Sequence, residues 1–195
     1  MNFKPTEAAW LNPPQTCVIE EARAAITTDP ETDFWQRTYY GFQNDNAHLL
    51  YWATDEPYFS FTVKAEFNSS ALFDQCGLAI YQDSDHWAKA GIEYHDRDTA
   101  WLGSVVTNRG YSDWATTDIG ARVTCMWYRL SRRGSDYCFE HSADGLQFKQ
   151  MRIFHLFEAD REVRFGLFAC SPSRHSFQAV FTEMRMTECL WKAHP

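Results

Sequence analysis

The segment from Asp74 to Tyr94 carries amide, amine, carboxylate and indole side chains at a spacing that would bring them onto one surface. Each half of the segment alternates apolar and polar residues, and a polar turn separates the halves, which predicts a β-hairpin. Antiparallel pairing then gives the cross-strand pairs Tyr81–Trp87, Ala79–Lys89, Gly77–Gly91 and Gln75–Glu93. The groups on this face would bind a small polar ligand through hydrogen bonds and aromatic stacking.

The other face of the hairpin is predicted to point into a hydrophobic core, and it carries Cys76, Leu78, Ile80, Ala88, Ala90 and Ile92. On the polar face, Gly77 and Gly91 would lie side by side as the floor of a shallow trough. Paired glycines contribute little to a sheet and commonly mark a close approach by another group. That group is either a ligand or an opposing loop or aromatic ring, and the sequence leaves both interpretations open.

Glu93 is a candidate acid for glycoside hydrolysis, which needs two carboxyl groups about 5 to 9.5 Å apart. Alternation places no second acid on the same face of its strand, so the partner would have to be Asp113 or Glu140. Lys89 lies four residues before Glu93 on the same face. A solvent-exposed ion pair explains these two residues equally well.

Two further groups are candidates for the same surface. Asp113 and Trp114 place a carboxylate beside an indole, which is the combination that sugar recognition uses, although a capped loop with its Trp in the core is the alternative. Side chains alternate between the two faces of a strand, and this alternation would place Arg129 on the face of the trough. An ion pair with Glu140 is the competing explanation for Arg129. The full candidate surface is Gln75, Tyr81, Trp87, Lys89, Glu93, Asp113, Trp114 and Arg129.

The sequence gives weak support to a metal site or to a catalytic nucleophile. Asp83-x-Asp85 and Asp96-x-Asp98 are two-ligand fragments for Ca2+, and solvated turn acids explain them more simply. The seven histidines show no metal-binding spacing, and no Gly-x-Ser-x-Gly motif is present. We therefore expect no resident cofactor, with Ca2+ as the one candidate.

Composition restricts the class of protein. A chain of 195 residues predicts one domain over residues 1–195, and a net charge of −8 argues against a nucleic-acid partner. No apolar run approaches the roughly 20 residues of a membrane span, and no secretory signal is recognisable. Six cysteines without a Cys-x-x-Cys pair are expected to be reduced thiols, which favours a cytoplasmic location.

The elements that position these residues are predicted to be short β-strands. Aromatic residues make up 16% of the chain, and apolar runs alternate with turn-forming segments such as Gln43–Asn46 and Asn108–Gly110. We expect an irregular lead-in over residues 1–30, with a short helix at Glu20–Ala25, and a sandwich core over residues 31–190. The predicted strands are Leu49–Trp52, Phe59–Glu66, Gly77–Gln82, Trp87–Tyr94, Trp101–Thr107, Arg122–Ser131, Asp136–Ser142, Val163–Ala169 and Phe177–Arg185.

Six blocks of the sequence carry a family resemblance: Thr32–Phe42, Asp74–Tyr94, Ser104–Ala115, Trp127–Gly134, Glu140–Gly145 and Phe168–Pro172. Through them the chain resembles the concanavalin A-like proteins that include the fungal regulation-of-enolase protein. It also resembles the sandwich domains appended to some β-xylosidases. The resemblance implies an all-β jelly-roll sandwich of two packed antiparallel sheets. It supplies no agreed activity, and the Glu-x-Asp-x-x-Glu motif of glucanases with this fold has no counterpart at Glu93–Asp98.

Three functions follow as hypotheses. The first is a lectin-like protein that binds a small polar ligand, a carbohydrate above all, on its concave sheet; the sequence leaves open whether it catalyses a reaction. The second is a cytosolic regulatory or interaction module that affects carbohydrate metabolism through a protein partner. The third is a glycoside-acting enzyme that uses Glu93.

Overall fold

The computed structural model describes residues 3–159 and 162–192, which form two seven-stranded antiparallel sheets and a two-stranded ribbon. The front sheet contains, in spatial order, β1 (Ala9–Leu11), β6 (His48–Thr54), β15 (Val163–Cys170), β8 (Gln75–Asp83), β9 (His86–Tyr94), β10 (Thr99–Asn108) and β11 (Tyr111–Gly120). The back sheet contains β14 (Lys149–His155), β13 (Asp136–Ser142), β12 (Cys125–Arg133), β7 (Tyr58–Phe67), β16 (Gln178–Thr187), β3 (Arg23–Thr27) and β2 (Thr16–Ile19). The ribbon pairs β4 (Phe34–Gln36) with β5 (Gln43–Asp45), and a 3-10 turn spans Pro5–Glu7.

The main core lies between the two sheets and is built from one face of each. All six residues that alternation assigns to the core face of the β8–β9 hairpin belong to it. The back sheet supplies large apolar side chains opposite them, including Phe61, Val63, Leu130 and Phe181. The predicted all-β sandwich of two packed antiparallel sheets is therefore confirmed.

The predicted register of the hairpin is also confirmed. Tyr81 pairs with Trp87, Gly77 with Gly91, and Gln75 with Glu93. The pairing follows from the side-chain period of two, because a slip by one residue would turn every core side chain to the opposite face.

The N-terminal prediction is wrong. Residues 9–27 hold three strands instead of an irregular lead-in, and the segment predicted as a helix at Glu20–Ala25 runs into β3. Ala24 and Ile26 are fully buried in the main core, and β3 pairs with both β16 and β2. Tertiary pairing thus overrides the helix propensity of an alanine-containing run. The predicted turn at Gln43–Asn46 likewise contains β5, and the predicted strands omit β11 and β14.

A row of three glycines crosses the front sheet, since Gly91 pairs with Gly77 on one side and with Gly103 on the other. The backbone approach at this row is very close. A Cβ atom added to Gly91 would lie 1.9 Å from the carbonyl oxygen of Cys76, and one added to Gly77 would lie 2.1 Å from that of Ala90. The two glycines are therefore required by the sheet itself, whatever binds above them.

We expect Gly91→Ala to destabilise the fold by about 2 to 3 kcal/mol, because backbone atoms on β8 would have to move to admit the methyl group. Gly120→Ala is the matched control, since a Cβ there meets nothing within 4 Å. Urea unfolding of both variants measures the difference. Equal stabilities would show that the sheet relaxes freely around Gly91.

Candidate functional site

The β4–β5 ribbon packs on the outer face of the front sheet and covers one end of the predicted trough. The Phe34 ring centroid lies 5.6 Å from that of Tyr81 and 5.5 Å from that of Trp87. Tyr81 and Trp87 are consequently buried, at 5% and 1% exposure. The prediction that these two rings are available to a ligand is therefore wrong, because this end of the trough is filled by an opposing aromatic ring.

The other end of the trough remains open as a cavity of about 230 Å3. We call it the aromatic pocket. It lies between the ribbon, the front sheet and the segments next to β8 and β15, and it is lined by Asp33, Trp35, Tyr40, Phe42, Phe73, Gln75, Lys89, Glu93, Val105, Trp114 and Pro172. Four of the eight predicted site residues, Gln75, Lys89, Glu93 and Trp114, meet here.

The polar side chains of the pocket come from adjacent strands and from the start of the ribbon. Lys89 Nζ lies 2.8 Å from Asp33 Oδ1, and the Lys89 side chain is 4% exposed. Glu93 Oε1 accepts a hydrogen bond of 3.3 Å from Trp114 Nε1. Gln75 is 4% exposed, and its Oε1 has no hydrogen-bond partner among the described residues. The pocket thus contains a satisfied ion pair, a carboxyl group and an amide oxygen that lacks a donor.

Burial changes the acid–base properties of these groups. Desolvation raises the pKa of Glu93 from its ordinary value of 4.5 to about 7, against the opposing effect of the Lys89 charge. Desolvation is the largest single effect on Lys89 and acts to lower its pKa, but the charges of Asp33, Cys170 and Glu93 together outweigh it and the pKa is raised. Burial holds the pKa of Cys170 well above its usual range. Glu93 therefore gains and loses its proton near neutral pH.

The neighbouring strand β10 makes room for the Glu93 side chain. A Cβ atom at Gly103 would come within 2.1 Å of Glu93 Oε1, so the carboxyl group occupies the space that a larger residue would fill. Trp114 on β11 then donates its indole N–H to the same oxygen. A glycine on one strand and a tryptophan on the next thus fix the position of Glu93.

Aromatic side chains form the walls of the pocket. Trp35 and Trp114 meet edge to face at 6.5 Å, and Phe73 lies 6.3 Å from Trp114. At the rim, the Tyr40 and Phe42 rings stack at 5.8 Å and are 53% and 45% exposed. Flat apolar walls with polar groups deeper in the cavity suit a ligand that has both a hydrophobic face and hydroxyl groups.

A buried hydrogen-bond network holds the Phe73 wall. Asp74 is fully buried, and its Oδ2 accepts hydrogen bonds from the backbone N–H groups of Ser70 and Ala71, while Ser171 Oγ donates to Oδ1 at 2.8 Å. Phe73 has a φ of 67°, which is an uncommon backbone conformation for a bulky residue. Because Phe73, Gln75 and Pro172 flank this network in sequence, it orders three residues of the pocket.

Two predicted site residues lie elsewhere. Arg129 is on β12 of the back sheet and makes a two-pronged ion pair with Glu140, at 2.6 and 2.7 Å, so the prediction that it reaches the trough is wrong. Asp113 precedes Trp114 on β11, and strand alternation turns it to the opposite face, where it pairs with Arg152 of β14. Neither residue lines the aromatic pocket.

The sequence interpretation missed more than half of the pocket lining, namely Asp33, Trp35, Tyr40, Phe42, Phe73, Val105 and Pro172. One available signal was the segment from Thr32 to Phe42, which has five aromatic residues in eleven positions and matches no strand pattern. Asp33 offers no local signal, because it lies 56 residues away from Lys89 in the sequence.

The acidic fragments considered for Ca2+ serve as turn-capping groups. Asp83 Oδ1 accepts a hydrogen bond from the backbone N–H of Asp85, and Asp96 Oδ1 accepts one from the backbone N–H of Asp98. Within residues 3–159 and 162–192, no group of three or more His, Cys, Asp or Glu side chains is arranged to hold a metal ion. All six cysteines lie in this part of the chain and are free thiols. No helix in it is long and apolar enough to cross a bilayer.

Together, the two antiparallel sheets and the pocket on the front sheet define a concanavalin A-like jelly-roll sandwich with a small aromatic-walled cavity. The chain belongs to the family described as "Protein of unknown function (DUF1349)", whose family model matches residues 10–189. It is 33% identical over 192 residues to "Regulation of enolase protein 1" of Saccharomyces cerevisiae, and the match covers 98% of this chain and 95% of the yeast protein. The family resemblance read from the sequence is thereby confirmed.

Solved structures agree with this assignment. A functionally unknown protein from Saccharomyces cerevisiae superposes with a TM-score of 0.89 at 32% identity, covering 96% of this chain and 100% of the yeast chain. A mutant of the GH43 protein BlXynB from Bacillus licheniformis superposes with a TM-score of 0.74 at 14% identity, over 96% of this chain and 38% of the larger protein. The second match shows a shared fold alone.

Proposed function

We propose that this protein binds a carbohydrate of about one sugar unit in the aromatic pocket. The observation that carries the proposal is a buried amide oxygen, on Gln75, that has no donor in the described part of the chain and lies in a pocket with indole walls from Trp35 and Trp114. A pyranose ring presents hydroxyl groups to the first and an apolar face to the second. The shared fold with a GH43 protein supports a sugar-related role.

The size of the pocket restricts the ligand. A cavity of about 230 Å3 is smaller than the range of about 300 to 1,000 Å3 that holds drug-sized molecules. A monosaccharide, or the terminal unit of a longer chain, fits that volume better than an internal segment of a polysaccharide. The six free thiols favour a reducing compartment, so a cytoplasmic location is part of the proposal.

A thermal-shift and calorimetric screen of mono- and disaccharides tests the proposal. A ligand present at 100 times its Kd adds about 2.7 kcal/mol of stability. We expect Gln75→Leu and Trp114→Ala to weaken binding of a responding sugar at least about tenfold, since each removes a distinct contact. Trp127→Ala, on β12 of the back sheet, is the control and should bind as the wild type does. Unchanged affinity in both pocket variants would refute the site.

A protein partner is the second candidate function, and one observation favours it. Tyr39, in the loop between β4 and β5, is 94% exposed and does not line the aromatic pocket. Tyrosine is one of the residue types enriched at protein interfaces. Tyr39→Ser should therefore reduce capture of a partner without altering sugar affinity. The same sugars should also be assayed for turnover, because the pocket lining contains a second carboxyl group, that of Asp33, in addition to Glu93.

A further inference from the structure

The charged groups of the aromatic pocket are two acids and one amine. Among the described lining residues these are Asp33, Glu93 and Lys89. The ammonium group of Lys89 is already neutralised, because it lies 2.8 Å from Asp33 Oδ1 and both side chains are largely buried. Among the described residues, Glu93 forms no ion pair of its own and accepts one hydrogen bond, from the neutral indole of Trp114, although the Lys89 charge acts on it. The pocket therefore has an excess of negative charge whenever Glu93 is ionised.

The remaining recognition groups also favour positive charge. Gln75 Oε1 is a buried acceptor that has no donor among the described residues, and a carbonyl oxygen accepts readily from an ammonium group. The rings of Trp35, Trp114, Tyr40 and Phe73 line the same space. Aromatic faces attract cations that lie within about 6 Å of the ring centre. A carboxylate, an amide oxygen and aromatic rings together match a protonated amine.

Lys89 is the one cationic side chain among the described residues that line the pocket, and it is paired with Asp33. Arg37, in the loop beside the pocket, donates to the carbonyl oxygen of Gly110 at 2.7 Å and lies 3.4 Å from Asp85. Cys170 and Tyr128 also lie close enough to feel the charge of Glu93, and burial above all, together with that charge, raises the pKa of each and keeps both in the neutral protonated form. A carboxylate or phosphate placed in the pocket would therefore meet two acids, Asp33 and Glu93, against the single amine of Lys89.

We propose that the aromatic pocket selects an amine-bearing sugar over its neutral parent and excludes the corresponding sugar acid and sugar phosphate. This inference rests on the proposed function and specifies its ligand class. The sugar ring contacts the indole walls, and the ammonium group lies between Glu93 and Gln75. Lys89 is available to donate to a hydroxyl group, because an ammonium has three N–H donors and the ion pair with Asp33 uses one of them.

Isothermal titration calorimetry with matched sets of sugars tests the inference. The probes are glucosamine, galactosamine and mannosamine, the parent hexoses, the uronic acids of glucose and galactose, and glucose 6-phosphate, at pH 7. We expect one amino sugar to bind about tenfold more tightly than its parent, since hydrogen bonds to a charged group are about twice as strong as neutral ones. We expect no measurable binding of the acids and the phosphate.

A variant removes the charge while keeping the shape of the site. Glu93→Gln should reduce the ratio of amino-sugar to neutral-sugar affinity to about one. Glu66→Gln is the matched control, because Glu66 is an exposed acid on β7 of the back sheet, and it should leave the ratio unchanged.

Each outcome decides between the two proposals. A neutral hexose that binds as tightly as its amino counterpart, or an acid that binds equally well, overturns the charge selectivity and leaves carbohydrate binding standing. An unchanged ratio in Glu93→Gln overturns the role of that carboxyl group. If no sugar in the set binds, the proposal of carbohydrate binding is overturned, and the proposed selectivity with it.

Discussion

Replacing Lys89 with methionine should destabilise the protein by about 3 kcal/mol. Methionine fills a similar volume, so little of the effect comes from packing. The loss arises because Asp33, with a side chain 13% exposed, would remain beside the pocket without its partner. Breaking a buried ion pair by removing one member costs about 3 to 5 kcal/mol, whereas replacing both members is often neutral.

Urea denaturation at pH 7 measures this effect, and two further proteins make the measurement specific. Lys64→Met removes the cation of the more exposed Lys64–Glu66 pair and should cost less than about 1 kcal/mol. Adding Asp33→Leu to Lys89→Met should recover most of the lost stability. If the two lysine variants lost the same amount of stability, solvent would be screening the Lys89–Asp33 pair as it screens a pair on the surface.

The substitution Glu93→Gln should have the opposite effect on the free energy of unfolding and stabilise the protein by about 2 to 3 kcal/mol at pH 8. The pKa of Glu93 is raised from 4.5 to about 7 by burial, so the folded state binds the proton more tightly than the unfolded state does. Stability due to this group is therefore complete below about pH 4.5 and is lost as the pH rises to about 7. Glutamine keeps an oxygen that can accept from Trp114 and carries no charge to desolvate.

The pH dependence separates this effect from a general improvement in packing. Unfolding free energies of the two proteins should agree near pH 4, diverge between about pH 4.5 and 7, and keep a constant difference above that range. Glu140→Gln serves as a control with the opposite result, since Glu140 is ion-paired with Arg129 and its loss should destabilise. A pH-independent difference between Glu93→Gln and wild type would contradict the assignment. A stabilising substitution in a pocket is typical of a residue kept for binding.

The fold was readable from the sequence where patterns are local. The β8–β9 hairpin has alternating residues on both sides of a polar turn, and its register, core face and glycine pair all follow from that pattern. The N-terminal strands were not readable in this way. β3 has three consecutive buried residues, Ala24, Ala25 and Ile26, so it shows no alternation, and its strand state depends on pairing with β16, more than 150 residues later.

The sequence by itself determined the residues that one hairpin places on one face, and hence Gln75, Lys89 and Glu93 as neighbours. Only the tertiary structure decided how that face is used. The ribbon buries Tyr81 and Trp87, brings Asp33 to Lys89, and leaves Glu93 at the bottom of an aromatic pocket. The physical reason is that burial and pairing change the charge and accessibility of a side chain, and both depend on segments distant in sequence. Local spacing therefore identifies the polar groups, while packing sets what they can bind.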